Sequence, residues 1–294
     1  MSRATTLGTV TAPPTFLLGT GAQKGGTTWL YHYLKASPQF VSGYRKEYHV
    51  FDALDVKGQA YRRRRVLDEA EAALGRARMG KPLNAQVMHL ASMYADPDVY
   101  FDYFAGLLAS RPDARLTADV TPAYAMLPAQ RMTQIKEAFA ARGVRAVSVF
   151  LMRDPVDRIV SHVRMQVRER PQRWDKPVQE VLLERYAHRE NVQRTSYHLT
   201  LAELDRAFGP DETYIGFYED LFSEARIREI CALLRIDFHQ PALDERRNAS
   251  PPAQVPDEIL RMIAEHYREV YDVVAARFPD VDLTALWPSR RYLD

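Results

Sequence analysis

One cysteine in 294 residues, Cys231, excludes an intramolecular disulfide and suits a reducing compartment. No stretch approaches the roughly 20 consecutive apolar residues that a membrane-spanning helix needs. The first 14 residues have one arginine and several threonines but no continuous apolar core, so they do not read as a secretory signal. They are expected to form a flexible tail, and the chain to be cytoplasmic. Charge of one sign is also lacking: 40 Lys plus Arg stand against 38 Asp plus Glu, which gives no bulk attraction for nucleic acid or a membrane surface. Any anion binding must therefore be local. The length suits one large α/β domain over 15–294.

The apolar residues that are present fall into short runs. Thr15-Phe16-Leu17-Leu18-Gly19-Thr20 reads as a buried strand meeting a glycine loop, and Thr27 to Ala36 as a helix stopped by Ser37-Pro38. A second short strand is expected at Phe40 and Val41. Val144 to Met152 reads as a buried strand running into Arg153-Asp154-Pro155, with Pro155 placed to open the next helix. Helices are expected over Ser196–Phe208, Ser223–Leu234 and, as one long terminal element, Asp257–Arg277, with a strand at Thr213–Phe217. Cys231 falls on the apolar stripe of the Ser223–Leu234 helix. The charged segment Lys57–Lys81 reads as a solvated helix. Strands alternating with helices imply an α/β fold, with a P-loop-like central parallel sheet flanked by helices on both faces.

Between the first strand and helix lies Gly19-Thr20-Gly21-Ala22-Gln23-Lys24-Gly25-Gly26-Thr27-Thr28-Trp29-Leu30. Glycines let backbone amides converge, a helix N-terminus adds positive potential, and Lys24 supplies a full charge, so the loop can cradle a phosphate. A nucleoside-triphosphate loop places Ser or Thr directly after the lysine to hold magnesium. Here two glycines follow Lys24, which disfavours a small-molecule kinase.

The run Gln23 to Leu30 resembles the 5′-phosphosulfate loop of sulfotransferases that use 3′-phosphoadenosine-5′-phosphosulfate (PAPS). The two-glycine form is most similar to the glycan-modifying, heparan sulfate-type enzymes, and the Thr-Thr-Trp-Leu ending is similar to the cytosolic ones. The resemblance implies that Lys24 contacts the sulfate and bridging oxygen, and that Gly25, Gly26, Thr27 and Thr28 hold the 5′-phosphate. Trp29 is open to two roles, adenosine contact or packing in the first helical turn. A second match follows the strong strand. Arg153-Asp154-Pro155, with Ser161 about two helical turns on, is similar to the family's 3′-phosphate motif and implies Arg153 and Ser161 as ligands of that phosphate. The late basic run Arg246-Arg247-Asn248 before Ser250-Pro251-Pro252 loosely resembles a loop that closes over the nucleotide, which makes Arg247 a further candidate.

The loop Lys46-Glu47-Tyr48-His49-Val50-Phe51-Asp52 resembles the segment that carries the general base in heparan sulfate-type enzymes. Glu47 is the matching carboxylate, and His49 a helper or alternative base. Cationic neighbours would lower the Glu47 pKa and burial would raise it. Ala118-Asp119-Val120-Thr121-Pro122-Ala123-Tyr124 resembles a segment lining the acceptor cleft, implying acceptor contacts from Asp119 and Tyr124; the structural alternative for Asp119 is capping near Thr121. Val120 stands where the 3-O-sulfotransferases carry lysine. The implied activity is transfer of a sulfuryl group from PAPS, leaving 3′-phosphoadenosine-5′-phosphate (PAP), to a saccharide or small-molecule hydroxyl or amine, with no metal required. A catalytically inactive PAP-binding protein is the alternative outside enzymology.

Overall fold

In the computed structural model, residues 12–242 and 255–294 are described. Arg246, Arg247, Asn248 and the Ser250-Pro251-Pro252 run lie outside them, as does most of the N-terminal segment.

Four strands form one parallel sheet: β1 (Thr15–Gly21), β2 (Leu116–Asp119), β3 (Arg145–Met152) and β4 (Thr213–Phe217), in the order β2-β1-β3-β4. The chain from β1 to β2 carries α1 (Thr27–Lys35), α2 (Val50–Asp55), α3 (Tyr61–Arg78), α4 (Ala85–Ala95) and α5 (Pro97–Ala109). Between β2 and β3 come a 3-10 turn (Pro122–Met126) and α6 (Ala129–Ala140). Then α7 (Pro155–Glu169), α8 (Val178–Arg185), α9 (Arg189–Thr195) and α10 (Tyr197–Ala207) connect β3 to β4, followed by α11 (Glu224–Leu234), α12 (Asp257–His266) and α13 (Arg268–Arg277).

The central strands are buried on both faces, which is why they read as mainly apolar runs without polar alternation. From β1 and β3, Phe16, Leu18, Phe150 and Met152 enter one core with Tyr100, Phe104 and Phe139, whereas Leu17, Val147, Val149 and Leu151 enter the opposite one with α1 and α11. Phe16 stacks on Phe139 at 4.0 Å between ring centroids and meets Phe104 edge-on at 4.9 Å. Each such fully buried side chain contributes about 2 kcal/mol from removal of apolar surface. Cys231 is buried on α11, as its periodicity predicts.

Two expectations are corrected. Phe40 and Val41 do not form the second strand: Phe40 makes only an isolated bridge to Leu116, Val41 donates its N–H to Leu116 O at 2.8 Å, and the strand beside β1 is Leu116–Asp119. The terminal helix is two helices with Tyr267 between them, where the Tyr267 hydroxyl donates to Tyr186 O at 2.6 Å. The charged helix exists as α3. Among the described residues, no helix is long and apolar enough to cross a membrane.

The strand order decides where a ligand sits. From β1 the chain leaves toward β2, and from β3 it leaves toward β4, so the two connections diverge. Divergence opens a crevice at the carboxyl ends of β1 and β3, the usual binding position of open α/β sheets.

Candidate active site

The loop after β1 is tied to the end of β3, because Ala22 N donates to Leu151 O at 2.8 Å. Gly25 is forced by close approach: a Cβ there would lie 2.3 Å from Leu151 O. Gly26 caps α1 at φ 85°, a left-handed conformation that costs glycine little, and no side chain caps the helix. The first N–H groups of α1, at Thr27 and Thr28, are thus left for a ligand.

Lys24 is itself left-handed at φ 70°, an uncommon conformation for a side-chain-bearing residue. Its Nζ lies 3.6 Å from the Met165 sulfur and forms no ion pair among the described residues. Burial, then repulsion from Arg153 and Arg168, holds its pKa below the ordinary lysine value.

Arg153 leaves β3 beside this loop and donates from Nη1 to Lys24 O at 3.2 Å. Its guanidinium lies over the Tyr218 ring at 4.4 Å, and Nη2 is 3.9 Å from Asp157 Oδ2. Its buried Nε has no hydrogen-bond partner among the described residues. The following turn is rigidly held. Asp154 caps α7 through Val156 N and also accepts from Tyr271 Oη at 2.7 Å and Ser289 N at 2.9 Å, while its own N–H donates to Glu219.

Lys24, Gly26, Thr27, Thr28, Trp29, Arg153 and Ser161 open on one cavity of about 540 Å³, and Glu47 and His49 line the same cavity. Ser161, Arg164, Met165 and Arg168 enter it from one face of α7. Gly25 lies behind the wall. Trp29 packs parallel to Tyr33 at 5.9 Å and edge-on to Phe222 at 5.1 Å while reaching the cavity, so the packing role is present.

Glu47 sits within a chain of charges. Lys46 Nζ donates to its Oε1 at 2.8 Å, His49 Nε2 lies 3.3 Å from its Oε2, and His49 Nδ1 lies 3.0 Å from Asp52 Oδ2. A ring nitrogen facing a carboxylate on each side must donate on both, which favours the imidazolium. Burial alone would lower the His49 pKa, but bonds to Asp52 and Glu47 outweigh it and raise it. Burial also pushes Glu47 upward, yet His49 and Lys46 prevail and hold its carboxyl at about 2. Cationic neighbours thus win the competition left open by the sequence.

Asp119 and Tyr124 are both fully buried and line none of the cavity. Asp119 accepts from Tyr48 N, Thr121 Oγ1, Tyr100 Oη and Tyr124 Oη at 3.2, 2.6, 3.0 and 2.8 Å. Burial raises its pKa to about 6 against these bonds. Because Tyr48 lies between Glu47 and His49, this hub braces the loop instead of facing an acceptor. Tyr124 Oη also receives Val50 N at 3.2 Å.

Three site residues escaped the sequence reading. Asp52 could have been found from its spacing to His49, one helical turn on. Arg62 enters the cavity from α3, otherwise the solvated helix expected, and Arg194 from α9; neither carries a local signal.

No curated protein matches the sequence. A family model described as "Sulfotransferase family" matches residues 14–240, more than half of the chain. Among solved structures, a sulfotransferase from Alicyclobacillus acidocaldarius is similar with a TM-score of 0.56 at 17% identity, covering 94% of this chain and 99% of that one. The sulfotransferase domain from the Synechococcus PCC 7002 olefin synthase gives 0.44 at 19% identity, covering 87% and 94%. The sulfotransferase domain from the curacin biosynthetic pathway gives 0.43 at 16%, covering 88% and 98%. The first of these is a likeness of fold.

Proposed function

The chain belongs to the sulfotransferase family, and on that premise we propose that it transfers a sulfuryl group from PAPS to a hydroxyl or amine of a saccharide or small molecule, with Glu47 as general base. The observation that carries this reading is that Lys24 and Arg153, on adjacent strand ends, open on the same cavity as Glu47.

The residues fit a phosphorylated donor. Among the described residues, the unpaired Nε of Arg153, the Lys24 ammonium without an ion-pair partner and the uncapped start of α1 are three unmet demands for negative charge in one crevice. Lys24 with Gly26, Thr27 and Thr28 would hold the 5′ end, and Arg153 with Ser161 the 3′-phosphate. When bound, PAPS supplies a sulfuryl group on a phosphate leaving group, on which negative charge grows as the bond breaks.

Lys24 neutralises charge at that end. At the other, Glu47 is ionised throughout the physiological range and accepts the proton of the acceptor hydroxyl. His49, fixed by Asp52, orients the Glu47 carboxylate, and Lys46 does so from the other oxygen. Positioning and electrostatics carry the rate, as in phosphoryl transfer.

The test is a screen with sulfur-labelled PAPS against pooled glycans, phenols, alcohols and amines. Label is expected in at least one pool with the unaltered enzyme and is expected to vanish with Glu47→Gln, while PAP binding by calorimetry persists. Full turnover by Glu47→Gln would remove the proposed base.

A further inference from the structure

The proposed donor contacts leave one strongly buried cation of the cavity unexplained. Arg194, on α9, has a side chain only 4% exposed, and its nearest carboxylate oxygen is Glu190 Oε1 at 3.9 Å. The other Glu190 oxygen is bound by Arg185 at 3.0 Å. Arg194 Nε is buried without a hydrogen-bond partner among the described residues, yet the residue forms part of the cavity wall. Burying a guanidinium without full compensation is costly, so such a group is expected to meet an anion when the site is in use.

Arg194 sits between two elements, because α9 packs against α7, the helix that carries Ser161, as well as against the 3-10 turn Pro122–Met126 that follows β2. Pro122 and Ala123 of that turn line the cavity beside the Glu47 loop. Arg62 lines the same wall, with Nε donating to Gln59 at 3.0 Å and lying 3.5 Å from Asp52 Oδ2. Among the described residues, Arg62 lies 3.5 Å from Asp52 and Arg185 3.0 Å from Glu190, whereas the more deeply buried Arg194 approaches a carboxylate oxygen only to 3.9 Å. Burial, and repulsion from Arg62, hold the Arg194 pKa below the ordinary arginine value despite Glu190 and Asp52. An arriving anion relieves that repulsion.

We propose that Arg194, supported by Arg62, forms an oxyanion-recognition subsite on the acceptor side of the cavity, so that the acceptor is a hydroxyl compound that also carries a carboxylate or sulfate ester. This rests on the reading of the cavity as a sulfuryl-transfer site. The two arginines hold the acceptor by its charged group, and its neutral hydroxyl is left for Glu47. The fork of guanidinium donors suits a planar carboxylate or a sulfate ester.

The experiment uses sulfur-labelled PAPS with matched acceptors: uronic-acid monosaccharides and hydroxybenzoates, their methyl esters, and O-sulfated monosaccharides. Label is expected to enter anionic members about tenfold faster or more than their neutral partners. Arg194→Met and, separately, Arg62→Met are expected to erase that preference, with PAP affinity unchanged by calorimetry. A preference for sulfate esters over carboxylates would also support the subsite and name its anion. Equal labelling of acids and esters, including none of either, overturns it. So does loss of PAP affinity in Arg194→Met, which would give this arginine to the donor. Failure of the unaltered protein to bind PAP would instead sink the donor reading itself.

Discussion

Arg153 donates to the backbone oxygen of Lys24 at 3.2 Å, so the end of β3 and the loop after β1 form one hydrogen-bonded unit. A ligand that draws on both residues therefore meets a crevice whose two sides are already in register. Such preorganisation lowers the ordering cost of binding.

The closest packing in that unit is at Gly25. Gly25→Ala puts a methyl group against Leu151 O, where neither backbone can yield freely. Overpacking of this kind costs about 2 kcal/mol. Urea unfolding is expected to register that loss, and calorimetry a loss of PAP binding, because the loop must leave β3 to relieve the clash.

Asp119 braces the Glu47 loop without touching the cavity. Asp119→Asn replaces one acceptor oxygen by an amide that faces donors, and a buried network so mismatched loses about 3 kcal/mol. Turnover is expected to fall sharply while PAP affinity changes little. Equal losses in both would mean that Asp119 supports the whole sheet edge instead of the Glu47 loop.

These two positions also mark how far the sequence could be read. β1 and β3 are legible because both faces are buried, leaving runs such as Val147 to Met152 with no polar interruption except Ser148, whose hydroxyl pairs with Thr20 inside the sheet. β2 is not legible, because Leu-Thr-Ala-Asp is short and half polar, Thr117 donates to the distant Val41 O, and two of the four donors to Asp119, Tyr48 N and Tyr100 Oη, are distant in sequence. For the same reason Asp119 looked available to an acceptor: its four donors come from three separate segments. Arg62 and Arg194 were invisible because tertiary packing alone brings α3 and α9 to the cavity. Tyr267 divides the terminal helix although the apolar periodicity continues across it.

The His49 ring lies between Glu47 and Asp52, whose bonds raise its folded pKa. The rate is therefore expected to hold at lower pH and to fall as pH rises through that raised value, when Glu47 loses its oriented donor. Asp52→Asn removes a source of the upward shift, so the alkaline limb of kcat/KM should move to lower pH. An unmoved limb would show that another group controls it.

His162 is buried and donates to Asn191, which also binds Arg158 at 2.7 Å. Burial, then the Arg158 charge, lowers its pKa to about 3 from the ordinary 6.5. The unfolded chain thus takes up a proton below pH 6.5 that the folded chain refuses, and stability from this residue falls as pH drops. At pH 5 the loss is about 2 kcal/mol relative to neutral pH. In urea unfolding at the two pH values, His162→Gln is expected to lack this component, so its stability relative to the unaltered protein should improve at pH 5.

The central claim is that two cradles grip opposite ends of one doubly phosphorylated adenosine. Calorimetry comparing PAP with adenosine 5′-monophosphate, which lacks the 3′-phosphate, tests it directly. Lys24→Ala should weaken both ligands, whereas Arg153→Ala should weaken PAP by about 2 kcal/mol, roughly thirtyfold, and leave the monophosphate nearly unchanged. Equal effects of Arg153→Ala on the two ligands, or no effect of either substitution on PAP, would contradict the account.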